Sequence, residues 1–162
     1  SKIAGELFVC DYNELYGLPY TILRYGIPYG PRMRKELVIP IFLRKAFNGE
    51  PLTVSGDGSQ FRNFIYVEDL VDAHLLALDD KTENQILNLE GMRRITIKEM
   101  AETIQQLVEK DVKIEFIPSR PGDFEGKEAS NDKIKRLLGW EPKVDFREGM
   151  EKTIAWYKSE IL

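Results

Sequence analysis

Apolar residues at Ile3, Leu7, Phe8, Tyr12, Leu15 and Tyr16 recur at the spacing of one helix face. The pattern predicts a helix over residues 1–16, stopped by Gly17 with Pro19 just beyond. Lys2 falls in the first turn, where a cation opposes the helix macrodipole. The native helix is therefore expected to begin upstream of Ser1. Residues 21–25 then read as a short buried strand. Gly26, Pro28, Gly30 and Pro31 predict an irregular loop, which ends in the basic run Arg32-Met33-Arg34-Lys35.

Further along, residues 36–47 form a plausible helix, interrupted or started near Pro40 and closed by Asn48-Gly49. Residues 52–54 read as a strand, followed by the turn Ser55-Gly56-Asp57-Gly58. Residues 61–67 are rich in β-formers, and Glu68-Asp69 opens a helix to about residue 78, acidic where the dipole prefers it. A strand is expected over 86–89. Thr96 and Glu99 have capping-box spacing before a helix over 97–109. Residues 112–117 alternate like a strand, and 118–126 form a loop rich in Pro, Gly and charge. Asn131 or Asp132 is expected to cap a short helix ending at Gly139. A last helix over 147–161 would bury Met150, Ile154, Tyr157 and Ile161. Strands alternate with helices, so the class is α/β or α+β.

Composition narrows the possible functions. At 162 residues, 43% hydrophobic and 31% charged, the chain can bury a core as one domain or one lobe. A net charge of −4 argues against nucleic acid as the main partner. The single cysteine, Cys10, allows no intrachain disulfide, and with one histidine a Cys/His zinc site is nearly excluded. Apolar runs are too short for a membrane-spanning helix. No signal peptide is visible, so a cytoplasmic protein is the expectation. His74 and Cys10 read as structural residues, and Asp79-Asp80 as solvated charge.

Two arginines stand out as chemistry. Arg62 follows the Gly-Asp-Gly turn between Phe61 and Phe64, and Arg120 sits in a proline-restricted loop, Ser119-Arg120-Pro121-Gly122-Asp123. A guanidinium binds phosphate oxygens in a bidentate fork and keeps its charge. Two of them on separate loops could bracket a diphosphate; either one alone could equally be a surface ion pair. No GxGxxG turn leads into a helix, so a dinucleotide-phosphate loop is absent from these residues.

Taken in order, several short strings resemble the extended short-chain dehydrogenase/reductase family, in particular its NAD-dependent sugar-nucleotide epimerases and dehydratases. They are Ser1-Lys2-Ile3-Ala4-Gly5-Glu6, Leu23-Arg24-Tyr25, Tyr29-Gly30-Pro31-Arg32, Val38-Ile39-Pro40, the stretch 49–58, and Arg62-Asn63-Phe64-Ile65-Tyr66-Val67-Glu68-Asp69. Asn88-Leu89, Arg120-Pro121-Gly122-Asp123 and Leu137-Leu138-Gly139-Trp140-Glu141-Pro142 complete the set. The resemblance covers residues 1–162. It implies the C-terminal part of a Rossmann-type enzyme, with the remaining core elements and a small α+β substrate-binding domain.

The resemblance also implies roles. Lys2 would be the lysine of the Tyr-x-x-x-Lys motif, holding the nicotinamide ribose and lowering the pKa of a tyrosine three residues before Ser1. Tyr25 and Gly26 would lie near the nicotinamide end of NAD, whose glycine-rich loop would belong to an absent N-terminal part. Arg62 and Arg120 would hold the substrate diphosphate, Asp123 the nucleotide ribose, and Val38, Pro40, Leu52 and Val54 would pack around the base. Ile27 stands where the family usually has an asparagine touching substrate, so that contact is lost, moved or supplied by backbone. The implied activity is UDP-glucose 4-epimerase-like, with the chain alone inactive. Alternatives are a related dehydratase, decarboxylase or reductase, or a non-catalytic nucleotide-sugar-binding module. A homodimer through the N-terminal helix is also implied.

Overall fold

The computed structural model describes residues 1–119, 121–122 and 125–160. Helix α1 (Lys2–Tyr16) ends as expected at Gly17, whose φ of 66° is the left-handed conformation glycine adopts without a Cβ penalty. Strand β1 (Thr21–Tyr25) pairs in parallel with β5 (Gln85–Leu89), and Leu23 faces Leu87 in the ladder. A parallel pair needs a long crossover. Here it carries β2 (Ile27–Tyr29), α2 (Val38–Phe47), β3 (Leu52–Ser55), β4 (Phe61–Tyr66) and α3 (Val67–Leu76). Beyond β5 come β6 (Arg94–Thr96), α4 (Ile97–Val108), β7 (Ile114–Ile117), α5 (Asp132–Leu138) and α6 (Phe146–Glu160).

Two more small sheets complete the frame. In one, β4 is flanked by β2 in parallel and β6 antiparallel; in the other, β3 runs parallel to β7. Strand β4 separates two cores because successive strand residues point to opposite faces. Phe64 and Tyr66 enter a cluster with Tyr29, Leu43, Met100, Ile104, Phe146 and Met150, whereas Ile65 enters one with Leu70, Leu87, Leu89, Ile134 and Trp140. The expected inner face of the last helix is there: Met150, Ile154 and Tyr157 are buried. Ile161 lies outside the described residues.

Several expectations need correction. The loop predicted over residues 26–31 contains β2, with Pro28 inside it. Among the described strands only β4 pairs with β2, so Pro28 sits at an edge, where a missing N–H breaks no ladder. The short strand β6 went unpredicted because three residues carry too little alternation to read. Asp79-Asp80 is more than solvated charge: the Asp79 side chain accepts from Lys81 N at 2.9 Å and starts a 3-10 turn, Asp80–Thr82. Asn131 does not cap α5 through its side chain. Instead its carboxamide accepts from Glu90 N at 2.7 Å and donates to Glu90 O at 2.9 Å, joining the start of α5 to the end of β5.

Other local predictions agree with the structure. Thr96 Oγ1 accepts from Glu99 N at 3.0 Å, the forward half of the capping box. His74 is structural: its Nδ1 lies 2.7 Å from Leu70 O, within its own helix. Cys10 is half-buried rather than packed in a core, with its Sγ 3.5 Å from the Tyr20 hydroxyl.

Helix α1 has no buried residue. Ile3, Leu7, Phe8, Leu15 and Tyr16 are all more than 60% exposed, so the apolar stripe exists without anything packed on it in this chain. Polar contacts hold the helix in place. Arg24 Nε donates to Glu6 Oε1 at 2.8 Å, and Asn13 Nδ2 donates to Leu18 O and Asn84 Oδ1 at 2.9 and 3.0 Å.

Candidate functional site

A cavity of about 370 Å³ opens where β2, α2, β3 and β4 converge. Its apolar wall is Ile27 from β2 with Val38 and Ile41 from α2; Thr53, Ser55, Gln60 and Arg62 supply polar groups. Two periodicities build it. In α2, residues three apart share a face, so Val38 and Ile41 look into the cavity while Ile39 and Pro40 are buried. In β3, Leu52 and Val54 are fully buried in the main core, and Thr53 and Ser55 face the other way.

The sequence-predicted residues therefore separate. Ile27, Val38 and Arg62 are brought together in the cavity wall. Leu52, Val54 and Pro40 do not line it: they support it from behind, because the strand and helix faces that carry them turn inward. Thr53, Ser55, Gln60 and Glu36 line the cavity and were missed. The alternation Leu52-Thr53-Val54-Ser55 was the available signal for two of them, since one side of a half-buried strand must be polar.

Hydrogen bonds stiffen the polar wall. Lys45 Nζ donates to Thr53 Oγ1 at 3.0 Å, Gln60 Nε2 donates to Ser55 O at 3.0 Å, and Arg62 Nη1 donates to Phe61 O at 2.6 Å. Arg120 and Asp123 lie outside the described residues. The chain flanking them is close by: Ser119 and Glu125 border a hollow of about 210 Å³ shared with Ser55, Ser59 and Gln60.

Tyr25 and Gly26 occupy the carboxyl end of β1, beside the carboxyl end of β5. Open parallel α/β sheets bind ligands at that edge. Tyr25 is about half exposed there, and the Gly26 amide donates to Leu89 O at 3.1 Å. Gly26 has no room for a side chain: a Cβ would lie 2.3 Å from Asn63 O and 2.7 Å from Glu90 Oε2. Lys2 is exposed on α1, one helical turn before Glu6. The fork between Glu6 and Arg24 holds that turn beside β1, and the Arg24 guanidinium keeps the Glu6 carboxyl below the usual carboxylate range. Lys2 and Tyr25 are thus exposed, while Gly26 is held tightly against the neighbouring sheet.

The family model for the NAD dependent epimerase/dehydratase family matches residues 1–89. The chain belongs to this family. It is 37% identical, over 98% of its length, to a UDP-N-acetyl-alpha-D-glucosaminuronate decarboxylase of Bacillus cytotoxicus, and covers 54% of that protein. Among solved structures, UDP-glucose 4-epimerase of Thermotoga maritima with UDP-glucose superposes with a TM-score of 0.92 at 32% identity, over 99% of this chain and 53% of that one. UDP-glucuronic acid 4-epimerase of Bacillus cereus, in complex with UDP-glucuronic acid and NAD, gives 0.89 at 28% identity, over 98% and 51%. The expected Rossmann-related α/β fold is the fold of these family structures. The chain spans about half the length of the curated relatives it matches. Among the described residues, no helix is long and apolar enough to cross a membrane.

Proposed function

We propose that this chain forms the nucleotide-sugar-binding half of an NAD-dependent 4-epimerase acting on a UDP-sugar. The observation that carries the reading is the cavity itself, with an apolar wall facing a fixed guanidinium across hydroxyl and amide groups. Val38 and Ile41 suit the flat face of a base. Thr53, Ser55 and Gln60 offer hydrogen bonds to its edge or to the ribose. Arg62 suits the diphosphate, and Arg120 and Asp123 are assigned to the diphosphate and ribose through their place in the family motif. Kinship to proteins crystallised with UDP-glucose and with UDP-glucuronic acid supports the ligand class.

Lys2, Tyr25 and Gly26 would receive the nicotinamide end of the cofactor, with the phosphate loop and the motif tyrosine supplied by sequence outside this chain. NAD, when bound, accepts a hydride from a sugar carbon and returns it. The Lys2 ammonium would stabilise the tyrosinate needed to take the hydroxyl proton; moving a tyrosine from about 10 to near 7 requires about 4 kcal/mol of differential interaction. A second reading, a decarboxylase or dehydratase of the same family, is favoured by Ile27. It lines the cavity and offers no side-chain hydrogen bond where the family usually has an asparagine.

Titration calorimetry of the chain with UDP, then with UDP plus NAD⁺, tests the binding reading. No heat with millimolar UDP would end it. Arg62→Ala should weaken UDP binding about tenfold or more, the scale of one lost charge-assisted hydrogen bond, with the thermal midpoint little changed. Incubating the whole protein with UDP-glucose and UDP-glucuronate separates the two catalytic readings: an epimeric product supports the first, and loss of carbon dioxide or of water from the sugar the second.

The exposed stripe on α1 supports a homodimer, because a contiguous apolar face of this kind marks an interaction surface. Sedimentation of the whole protein should show a dimer that Leu7→Glu with Phe8→Glu disperses. A clean monomer at high concentration would refute it.

A further inference from the structure

Glu90 directly follows β5 and fills the seam between the β1–β5 pair and the sheet containing β4. Its Oε2 is buried and has no hydrogen-bond partner. The space it fills is the space a side chain at position 26 would need, since an added Cβ on Gly26 would lie 2.7 Å from that oxygen. Its backbone is clamped on both sides, N–H and C=O, by the Asn131 carboxamide. The carboxyl is therefore held beside Gly26 by a backbone that two hydrogen bonds fix in place.

We propose that Glu90 is a positioning residue whose charge sets the backbone of the Tyr25–Gly26–Ile27 strip. This rests on the reading that the strip lines the cofactor and sugar site. Oε2 has no partner in either protonation state, and the ionised form is much the costlier to bury unless water or backbone moves in. Burial pushes the Glu90 carboxyl above the usual carboxylate range, and the nearby Asn63 side chain opposes part of that rise.

The surrounding charges do not neutralise it. The hollow next to it also carries Arg93, Arg94 and Glu128. Arg93 is engaged by Glu99 and Asp145, at 2.6 and 3.7 Å, and Arg94 by Glu128 at 2.8 Å. Asn63 from β4 and Asn131 before α5 are neutral. Glu90 Oε2 is left without a partner although two arginines stand nearby.

The sign follows from the raised pKa. The folded protein holds the Glu90 proton more tightly than the unfolded chain, so this contribution is full below the ordinary carboxylate value. It is lost as pH rises through the folded pKa. The test compares the whole protein with its Glu90→Gln variant, which keeps the shape and removes the charge. Amide exchange at Gly26, read without ligand, should be about threefold slower in the variant at pH 8, and the difference should close as the pH falls to the ordinary carboxylate range. The KM for the UDP-sugar should fall by a similar factor in the variant at pH 8 only, with kcat little changed.

A Gly26 exchange ratio that does not vary with pH would overturn the proposal. So would a pH-dependent ratio accompanied by superimposable KM profiles. If no UDP-sugar binds at any pH, the functional reading fails and the positioning role falls with it; the ligand-free exchange ratio shows whether the seam itself still responds to Glu90.

Discussion

Asp69→Ala is expected to destabilise the protein by about 2–4 kcal/mol, because it strips two part-buried backbone amides of a charged acceptor. Asp69 is 3% exposed at the start of α3. Its Oδ1 accepts from Lys143 N and its Oδ2 from Val144 N, each at 3.0 Å, while its backbone carbonyl accepts from Trp140 Nε1 at 3.2 Å. One carboxylate thus fastens the stretch between α5 and α6 to the second core. Urea unfolding monitored by the fluorescence of the two tryptophans, Trp140 and Trp156, reads the loss. Asp69→Asn, which keeps one acceptor and turns an NH₂ towards the other amide, should fall between the two. An alanine variant within about 1 kcal/mol of the parent would show that water replaces the carboxylate at little cost.

Gly149→Val is the second large effect. Exchanging glycine for a better helix former in an open helix would gain up to about 1 kcal/mol. In α6 the result should be a loss of about 3 kcal/mol through overpacking. A Cβ at 149 would lie 2.1 Å from the Tyr29 hydroxyl, 2.8 Å from its ring and 2.9 Å from Tyr66. Tyr29 cannot swing away: it packs against Phe64, Tyr66 and Phe146, with ring centroids 5.2–6.1 Å apart. Its hydroxyl lies 3.3 Å from Phe146 O, and burial keeps the phenol neutral by pushing its pKa far above the ordinary value. Combining Gly149→Val with Tyr29→Phe should recover part of the loss, since only the hydroxyl contact is relieved. Equal stability of Gly149→Val and the parent in thermal melts would contradict this close approach.

Where long periodicity exists, the chain announced its structure. The helix over 1–16, the capping pair Thr96 and Glu99, and the inner face of Met150, Ile154 and Tyr157 are local patterns, and each has its expected counterpart. What stayed hidden depends on partners distant in sequence. Strand β2 forms around Pro28 because β4, more than thirty residues on, offers it an edge. Asn131 looked like a helix cap until β5 placed Glu90 against it.

The site shows the same division. Arg62, Val38 and Ile27 were legible through the family motifs. The inward turn of Leu52 and Val54 follows from the pairing of β3 with β7 and its packing under α2 and α4. Glu90 carried no signal as a residue in a line of text; its meaning lies in the missing Cβ of Gly26.

Strand β4 has a consequence for how this chain comes apart. Its side chains are divided between two cores, so neither core can loosen while the other keeps β4 in register. Asp69, one turn into the helix that continues from β4, extends the same linkage to the stretch before α6. Loss of packing under Tyr66 is thereby transmitted to Ile65 and Trp140, and two clusters that look separable on a contact map form a single cooperative unit. Helix α1, with no buried side chain, stands outside that unit and is free to answer to whatever surface covers it.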